Sequence, residues 1–316
     1  MTHRPVEIVV TPGSGEGRAL SLARRLCRLL RRRGRPATIR AFDDLAGLLQ
    51  WTATCVADFS HVVCVGGDAT LSAAARAAMR SGMPLVPVPT GFGNIFANVF
   101  RHPRHATDVA ALLETGEVRR VDVGVATTPS GEDLFLSHRS YGLLEQIQTI
   151  AERGRRQPRR RLFRYLWYWG VAYHFLFRSR LAAFHVEVDG QTVAEDAVLV
   201  TVANVETYHG FLSLTPSASP IDGLFDVAVI PRASTGRLLW HLLRLLLKLP
   251  GRWRGLTLYR GRRVVVTTPR RCEHLSVRRH ALPLLVPAGA VEALTQRTVP
   301  DAPDPARPPA PVSDAR

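Results

Sequence analysis

Three short apolar runs, at 6–10, 61–65 and 85–88, each end in a glycine-bearing loop, and helical spacing follows each one. After the first come Leu22, Leu26, Leu29 and Leu30, with arginines between them and Gly34 as a stop. After the second comes an alanine-rich stretch over 70–80, and after the third a short helix beyond Asn94. Uninterrupted apolar runs of strand length are what a sheet covered on both faces requires. Their alternation with helices predicts right-handed crossovers and an open, mostly parallel sheet. In such a sheet ligands gather beyond the carboxyl ends of the strands, which is where all three loops fall.

Each loop carries chemistry of its own. The first, 11–18, brings the Ser14 hydroxyl and the Arg18 cation to a helix start, where unpaired backbone N–H groups attract anions. The second holds Gly66, Gly67, Asp68, Ala69 and Thr70. Its glycines let a ligand approach the backbone, Asp68 can orient a ribose hydroxyl, a metal-bound water or loop amides, and Thr70 stands where it can cap the helix. The third holds Thr90, Gly91, Phe92, Gly93 and Asn94. Ordinary turn chemistry accounts for any one of them; three after successive strands argue for a phosphate-bearing ligand. Neither the G-x-x-x-x-G-K-[ST] pattern nor G-x-G-x-x-G is present.

Near Arg119 the character changes. Strand-like segments follow at 121–126, 134–138, 184–188, 197–203, 224–230 and 263–267, with Asp189 and Gly190 as a hairpin turn. Helical stretches at 162–177 and 238–249 interrupt them, and the Pro/Ala/Asp-rich tail predicts disorder. The expected organisation is an α/β domain over 1–120, a β-rich domain with helical insertions over 121–298, and a loose tail over 299–316.

The 316 residues carry 42 Lys and Arg against 26 Asp and Glu, a net charge of +16. That balance calls for a polyanionic partner: nucleic acid, an anionic membrane surface or a phosphorylated ligand. Its placement favours a membrane. Arg153, Arg155, Arg156, Arg159, Arg160 and Arg161 precede the aromatic stretch 162–177 with Trp167 and Trp169, and a second basic aromatic segment, with Trp240 and Trp253, runs over 238–263. A core helix beside a solvated charge run is the alternative. Aromatics among arginines also stack on bases, but no nucleic-acid recognition module is present, so no nucleic-acid partner is expected. The start lacks the apolar core of a secretory signal, and no run reaches the ~18–20 apolar residues of a membrane span. Cys27, Cys55, Cys64 and Cys272 form no CxxC pair, which suits reduced thiols. The expected location is cytoplasmic and peripheral to a membrane; a homodimer is left open.

These residues carry a resemblance. VCVGGDATL at 63–71 resembles the GGDGT segment of the diacylglycerol kinase catalytic domain family, which includes bacterial lipid kinases and sphingosine kinases. PVPTGFGNIFA at 87–97 resembles that family's P-x-G-T-x-N-D-F-A segment, 11–15 its N-P-x-S-G opening, and 214–227 its P-x-A-x-x-D-G-x-L-D-V segment. The matches fall in family order. The resemblance implies an α/β nucleotide domain followed by a β-sandwich lipid domain, and transfer of the ATP γ-phosphoryl group to the hydroxyl of diacylglycerol or a related lipid. It implies that Ser14, Arg18, Gly66, Gly67, Asp68, Ala69, Thr70, Gly91, Gly93 and Asn94 line the nucleotide cleft. It further implies Mg2+ at Asp222 with the backbone oxygens of Phe225 and Val227, and Asp122 as an acidic cleft residue.

The sequence departs from the family pattern at four places. Ala69 stands for the third glycine of GGDGT, where a left-handed backbone would be strained. Phe92 replaces a threonine, and Ile95 replaces an aspartate. No D-G-E, which carries the family's catalytic base, appears near 264–277; Thr267 or Thr268 falls at the base position, with Glu273 the nearby carboxylate and His274 beside it. Glu273 or His274 is therefore the candidate substitute base, against the plainer reading of an exposed turn pair. Three alternatives stay open: a catalytically impaired lipid- or nucleotide-binding member of the same fold, a nucleotide kinase of the NAD kinase type, and a nucleic-acid-binding protein.

Overall fold

The computed structural model describes residues 4–11, 17–55, 58–91, 93–129, 131–142, 145, 183–206, 208–209, 212–232, 256–268 and 271–295. Ser14, Phe92, the arginine run 153–161, the helical stretches 162–177 and 238–249 and the tail beyond 298 lie outside those residues.

The first domain is the expected open sheet. β1 (Val6–Val10) pairs in parallel with β2 (Ala37–Ala41) on one side and β3 (His61–Gly66) on the other, and β3 pairs in parallel with β4 (Leu85–Pro89). Each apolar run is split between two cores. Val6, Ile8 and Val10, with Val63 and Val65, face α1 (Arg18–Arg32) and α5 (Ala106–Thr115). Val9, Val62 and Cys64 face α2 (Leu45–Thr54), α3 (Asp68–Ser81) and α4 (Ile95–Val99). Burial on both faces is why these strands read as unbroken apolar runs. In α1 the buried positions are Ala19, Ala23, Leu26, Cys27 and Leu30, while Leu22 and Leu29 only flank the core.

The second domain is β-rich. β5 (Glu117–Thr128), β6 (Gly131–Phe135), β7 (His138–Gly142), β8 (Phe184–Val188), β9 (Gln191–Ala203), β12 (Phe225–Pro231), β13 (Thr257–Gly261), β14 (Arg263–Thr268) and β15 (Arg271–Val286) form it; a short ribbon, β10 (Tyr208–His209) with β11 (Leu212–Ser213), stands apart. The stretch expected as one strand at 134–138 is broken by a bend at 136–137, which divides β6 from β7. β9 is shared: residues 191–197 pair with β8, and 199–203 pair with both β7 and β12. The sheet thus turns back on itself around a core of Phe135, Tyr141, Val186, Val200, Phe225, Val264 and Leu275. The Asp189–Gly190 hairpin forms as expected, and Asp189 accepts the amides of Arg262 and Arg263 at the neighbouring turn.

β5 and β15 join the two halves. They run antiparallel along most of their length, with a bulge between Arg278 and Leu282. Beyond it Leu284 pairs in parallel with Leu85 of β4, so the end of β15 closes the first domain's sheet. A terminal helix, α6 (Ala290–Thr295), follows.

Candidate functional site

The second and third loops interlock at the carboxyl ends of β3 and β4. The Thr90 amide donates to the Gly66 carbonyl at 3.1 Å. A Cβ on Gly91 would stand 2.6 Å from the Gly67 Cα, so the two backbones meet at a distance only glycine allows. Asn94 sits in the left-handed region at φ 49°; its Oδ1 accepts the Gly91 amide at 3.0 Å and its Nδ2 donates to the Gly91 carbonyl at 2.6 Å. That turn delivers the chain into α4. Thr70 is buried and shares a hydrogen bond with the Thr11 hydroxyl at 2.9 Å, tying the first loop to the second.

Asp68 opens α3 and faces the start of α4. Burial pushes its carboxyl above the usual range, opposed by the amides of Ile95, Phe96 and Asn94 at the α4 N-terminus, which favour the charged form. A Cβ on Gly93 would come within 2.9 Å of its Oδ2. Asp68 Oδ1 is buried and has no hydrogen-bond partner, and neither has Thr90 Oγ1 on the adjoining loop. Buried polar atoms are nearly always paired. Two orphans at a glycine-lined edge fit a bound polar ligand, and they fit a nucleotide phosphate with its hydrated cation. Ala69 lies in the first turn of α3 and is absent from the left-handed residues. The strain expected there does not arise, because the helix starts one residue before it. Arg18, exposed, opens α1 behind Gly17, whose φ is 83°.

The other carboxylates are placed quite differently. Asp122 on β5 is fully buried: its Oδ2 accepts the Gly223 amide and its Oδ1 the His280 amide, each at 2.7 Å. Its own amide donates to the Pro220 carbonyl at 2.7 Å, so Asp122 latches the 220–223 loop to the bulge of β15. Glu273 also has no exposed surface, so it is no exposed turn residue. It accepts from Tyr141 Oη at 2.6 Å and from Arg139 at 2.8 and 3.2 Å, and it pairs with Arg271. Burial alone would raise its carboxyl; the Tyr141 hydroxyl and the two guanidinium groups outweigh that and hold it low. Arg139 continues to Asp133 at 3.0 Å, and Asp133 to Arg76 of α3 at 3.5 Å, so this network fixes the cleft helix against the second domain. His274 points the other way, exposed, with Nε2 3.7 Å from Cys272 Sγ. Asp222 and Asp226 both pair with Arg260, the latter at 2.9 Å. Burial raises both carboxyls and the arginine pulls them back.

The structure brings Gly66, Gly67, Asp68, Thr70, Gly91, Gly93 and Asn94 together in one place. The sequence placed Thr90 in the third loop without singling out its hydroxyl, the second orphan, and it did not reveal the partners Arg139, Tyr141 and Arg260. Only pairing in space reveals those three, since Arg139 and Glu273 are 134 residues apart.

Comparison with known proteins bears on both halves. The family model of the diacylglycerol kinase catalytic domain matches residues 5–126, and that of the YegS C-terminal NAD kinase beta sandwich-like domain matches 142–278. A Mycobacterium tuberculosis protein named diacylglycerol kinase is 27% identical over 241 residues, 74% of this chain and 75% of its own. A Pseudomonas putida protein named "Probable lipid kinase YegS-like" is 29% identical over 184 residues, 55% of this chain and 57% of its own. A crystal structure of a diacylglycerol kinase from Bacillus anthracis superposes with a TM-score of 0.62 at 16% identity, covering 92% of this chain and all of that one. At that identity the likeness speaks for the fold.

Proposed function

Because the chain belongs to the diacylglycerol kinase catalytic domain family, we propose that it transfers the γ-phosphoryl group of ATP to a hydroxyl of diacylglycerol or a related lipid. The observation that carries this reading is the pair of orphaned buried atoms, Asp68 Oδ1 and Thr90 Oγ1, on two glycine loops in contact. When bound, ATP supplies the phosphoryl group and Mg2+ the charge that offsets what builds up in transfer. The chain supplies position. The amides of Ala69 and Thr70 in the first turn of α3 lie ahead of the helix's own hydrogen-bond ladder and suit a phosphate. Gly67 and Gly91 let the two loops close on each other, and Gly66 and Gly93 make room for Thr70 and Asp68, so the glycines shape the edge against which the nucleotide would lie. Asp68 Oδ1 would accept from a water of the cation, and the Thr90 hydroxyl would donate to a phosphate oxygen.

Proton removal is where this chain differs from its family. Glu273 and Asp122 have their oxygens engaged by guanidinium, hydroxyl and amide donors. Transfer therefore rests on positioning and charge stabilisation, and turnover is expected to lack the ~10²–10⁴-fold that a positioned base adds. The same saturation, with Ile95 in place of an aspartate, favours a second reading: a member of the fold that binds nucleotide or lipid without transfer. Incubation with labelled ATP, Mg2+ and a total lipid extract separates the two. A labelled lipid that disappears with Asp68→Asn supports the kinase; ATP binding with no labelled lipid supports the second reading.

A lipid substrate would bring the protein to a membrane, and an anionic surface is the partner its charge favours. Support comes from α1, which exposes Arg24, Arg25, Arg28 and Arg32 and contains no acidic residue. Among the described residues no helix is long and apolar enough to cross a membrane. Co-sedimentation with anionic but not neutral liposomes is the expected result; equal binding to both removes the electrostatic part of the proposal.

A further inference from the structure

The loop 214–224 leads into β12, and the family resemblance implies a divalent cation there, on Asp222 and the backbone oxygens of Phe225 and Val227. The residues present do not fit one. Asp222 Oδ1 accepts the Leu224 amide at 3.0 Å, and its Oδ2 is ion-paired with Arg260 Nη2. Asp226 Oδ1 takes Arg260 Nε at 2.9 Å. Arg260 stands directly opposite Asp226 in the β12–β13 register, so both side chains rise from the same face as cross-strand neighbours. β12 is paired on both edges, by β13 from Phe225 and by β9 from Asp226 onward, so the carbonyl of Val227 lies within the ladders. Among the described residues no group of three or more His, Cys, Asp or Glu is arranged to hold a metal.

The charges are well enclosed. The Asp226 side chain is 3% exposed and that of Arg260 18%. Unpaired carboxylates in such a place would be costly, and a positive charge between them offsets that cost. A divalent ion can provide it, and so can a guanidinium, which forks across two acceptors. Both cannot occupy one place, because like charges a few ångströms apart repel strongly in a partly dry site.

We propose that Arg260 takes the position of a structural cation, so that the second domain of this chain is held together without divalent metal. The clamp reaches the domain junction. Asp222 is followed by Gly223, at φ 75°, whose amide binds Asp122, and Asp122 in turn holds the His280 amide. Arg260 thus fixes the loop that Asp122 grips from the other side. The metal requirement of the protein is confined to the nucleotide cleft.

Thermal unfolding without nucleotide tests this, with the Asp68→Asn background removing any cation bound in the cleft. The expected melting temperature is the same in EDTA and in millimolar Mg2+. Arg260→Met is expected to melt roughly 5–10 °C lower in EDTA and to regain part of that loss with Mg2+ or Ca2+. The regain is expected to vanish when Asp222→Asn is added. Stabilisation of the Arg260-containing protein by Mg2+ that is abolished by Asp222→Asn overturns the proposal. So does an Arg260→Met variant that is as stable as its parent in EDTA, or one that no divalent ion restores. If Arg260→Met does not fold, Mn2+ binding to Asp68→Asn read by electron paramagnetic resonance decides. No bound ion at submillimolar Mn2+ supports the proposal, and one bound ion lost with Asp222→Asn overturns it.

Discussion

In the glycine cleft Asp68 keeps one buried oxygen without a partner, and Thr90 keeps its hydroxyl so. At the β5–β15 junction and on the strands around it, Glu273, Asp122 and Asp226 are buried more deeply and are met by arginine, tyrosine or backbone amides. The cleft holds one carboxylate, Asp68, and the junction several, and the family resemblance gives members of both groups a part in the chemistry. The difference teaches which carboxylates serve chemistry. A carboxylate that the fold has already satisfied has no acceptor left for a substrate, whereas an unpaired carboxylate oxygen at a cleft has one to offer a ligand.

That contrast predicts opposite phenotypes. The largest expected effect is on Asp68. Asp68→Asn keeps the shape and removes the charge, and labelled-lipid formation should fall about 10³-fold, about 4 kcal/mol in the barrier. Its melting temperature should change little, since burial already disfavours the charged form. Glu273→Ala should do the reverse: Tyr141 loses its buried acceptor, and Arg139 and Arg271 keep only their exposed partners Asp133 and Glu145. Denaturant unfolding should show a loss of about 3–5 kcal/mol.

His102 sits at the seam between the two regions. It is fully buried, with Nε2 2.9 Å from the Leu285 carbonyl of β15 and Nδ1 3.3 Å from the Ala97 carbonyl of α4. Burial pushes its pKa down to about 4, against the pull of those carbonyls. Its folded pKa therefore lies below the unfolded value, and between the two the unfolded chain binds the extra proton. Stability from this group is complete above about pH 6.5 and is lost as pH falls towards 4, by on the order of 3 kcal/mol. His102→Asn should flatten that part of the stability-against-pH curve; an unchanged slope would remove His102 as the seam's titrating group. Smaller still, Gly91→Ala should cost about 1–3 kcal/mol by forcing the two loops apart, and should weaken ATP binding more than it lowers stability. Thr70→Val, which loses the Thr11 hydrogen bond, should cost about 1 kcal/mol in the same unfolding measurement.

The cleft was legible because its signals are local. β1, β3 and β4 are buried on two faces and read as apolar runs, and the glycines that follow are required by close backbone contact. β2 escaped notice because Thr38 and Arg40 alternate with Ala37 and Ile39 on an outer strand. β15 was hidden by Arg278, Arg279 and His280, a polar stretch that proves to be a bulge within a strand of 16 residues. The status of Glu273 and Asp222 was invisible for a deeper reason. A carboxylate's role depends on what pairs with it, and Arg139 and Arg260 reach their partners only after the sheet has folded back at β9. The departures from the family pattern pointed to the right region but not to the physical outcome: Ala69 is unstrained in a helix, and Glu273 is held rather than exposed.

The most direct test is labelled-lipid formation measured side by side for wild type, Asp68→Asn and Glu273→Gln, each normalised to folded protein. Glu273→Gln should retain turnover within a few-fold of wild type while Asp68→Asn loses nearly all of it. Turnover lost with Glu273→Gln in a protein that still folds, or preserved with Asp68→Asn, would contradict the division between a cleft carboxylate that does the chemistry and paired junction carboxylates that hold the fold.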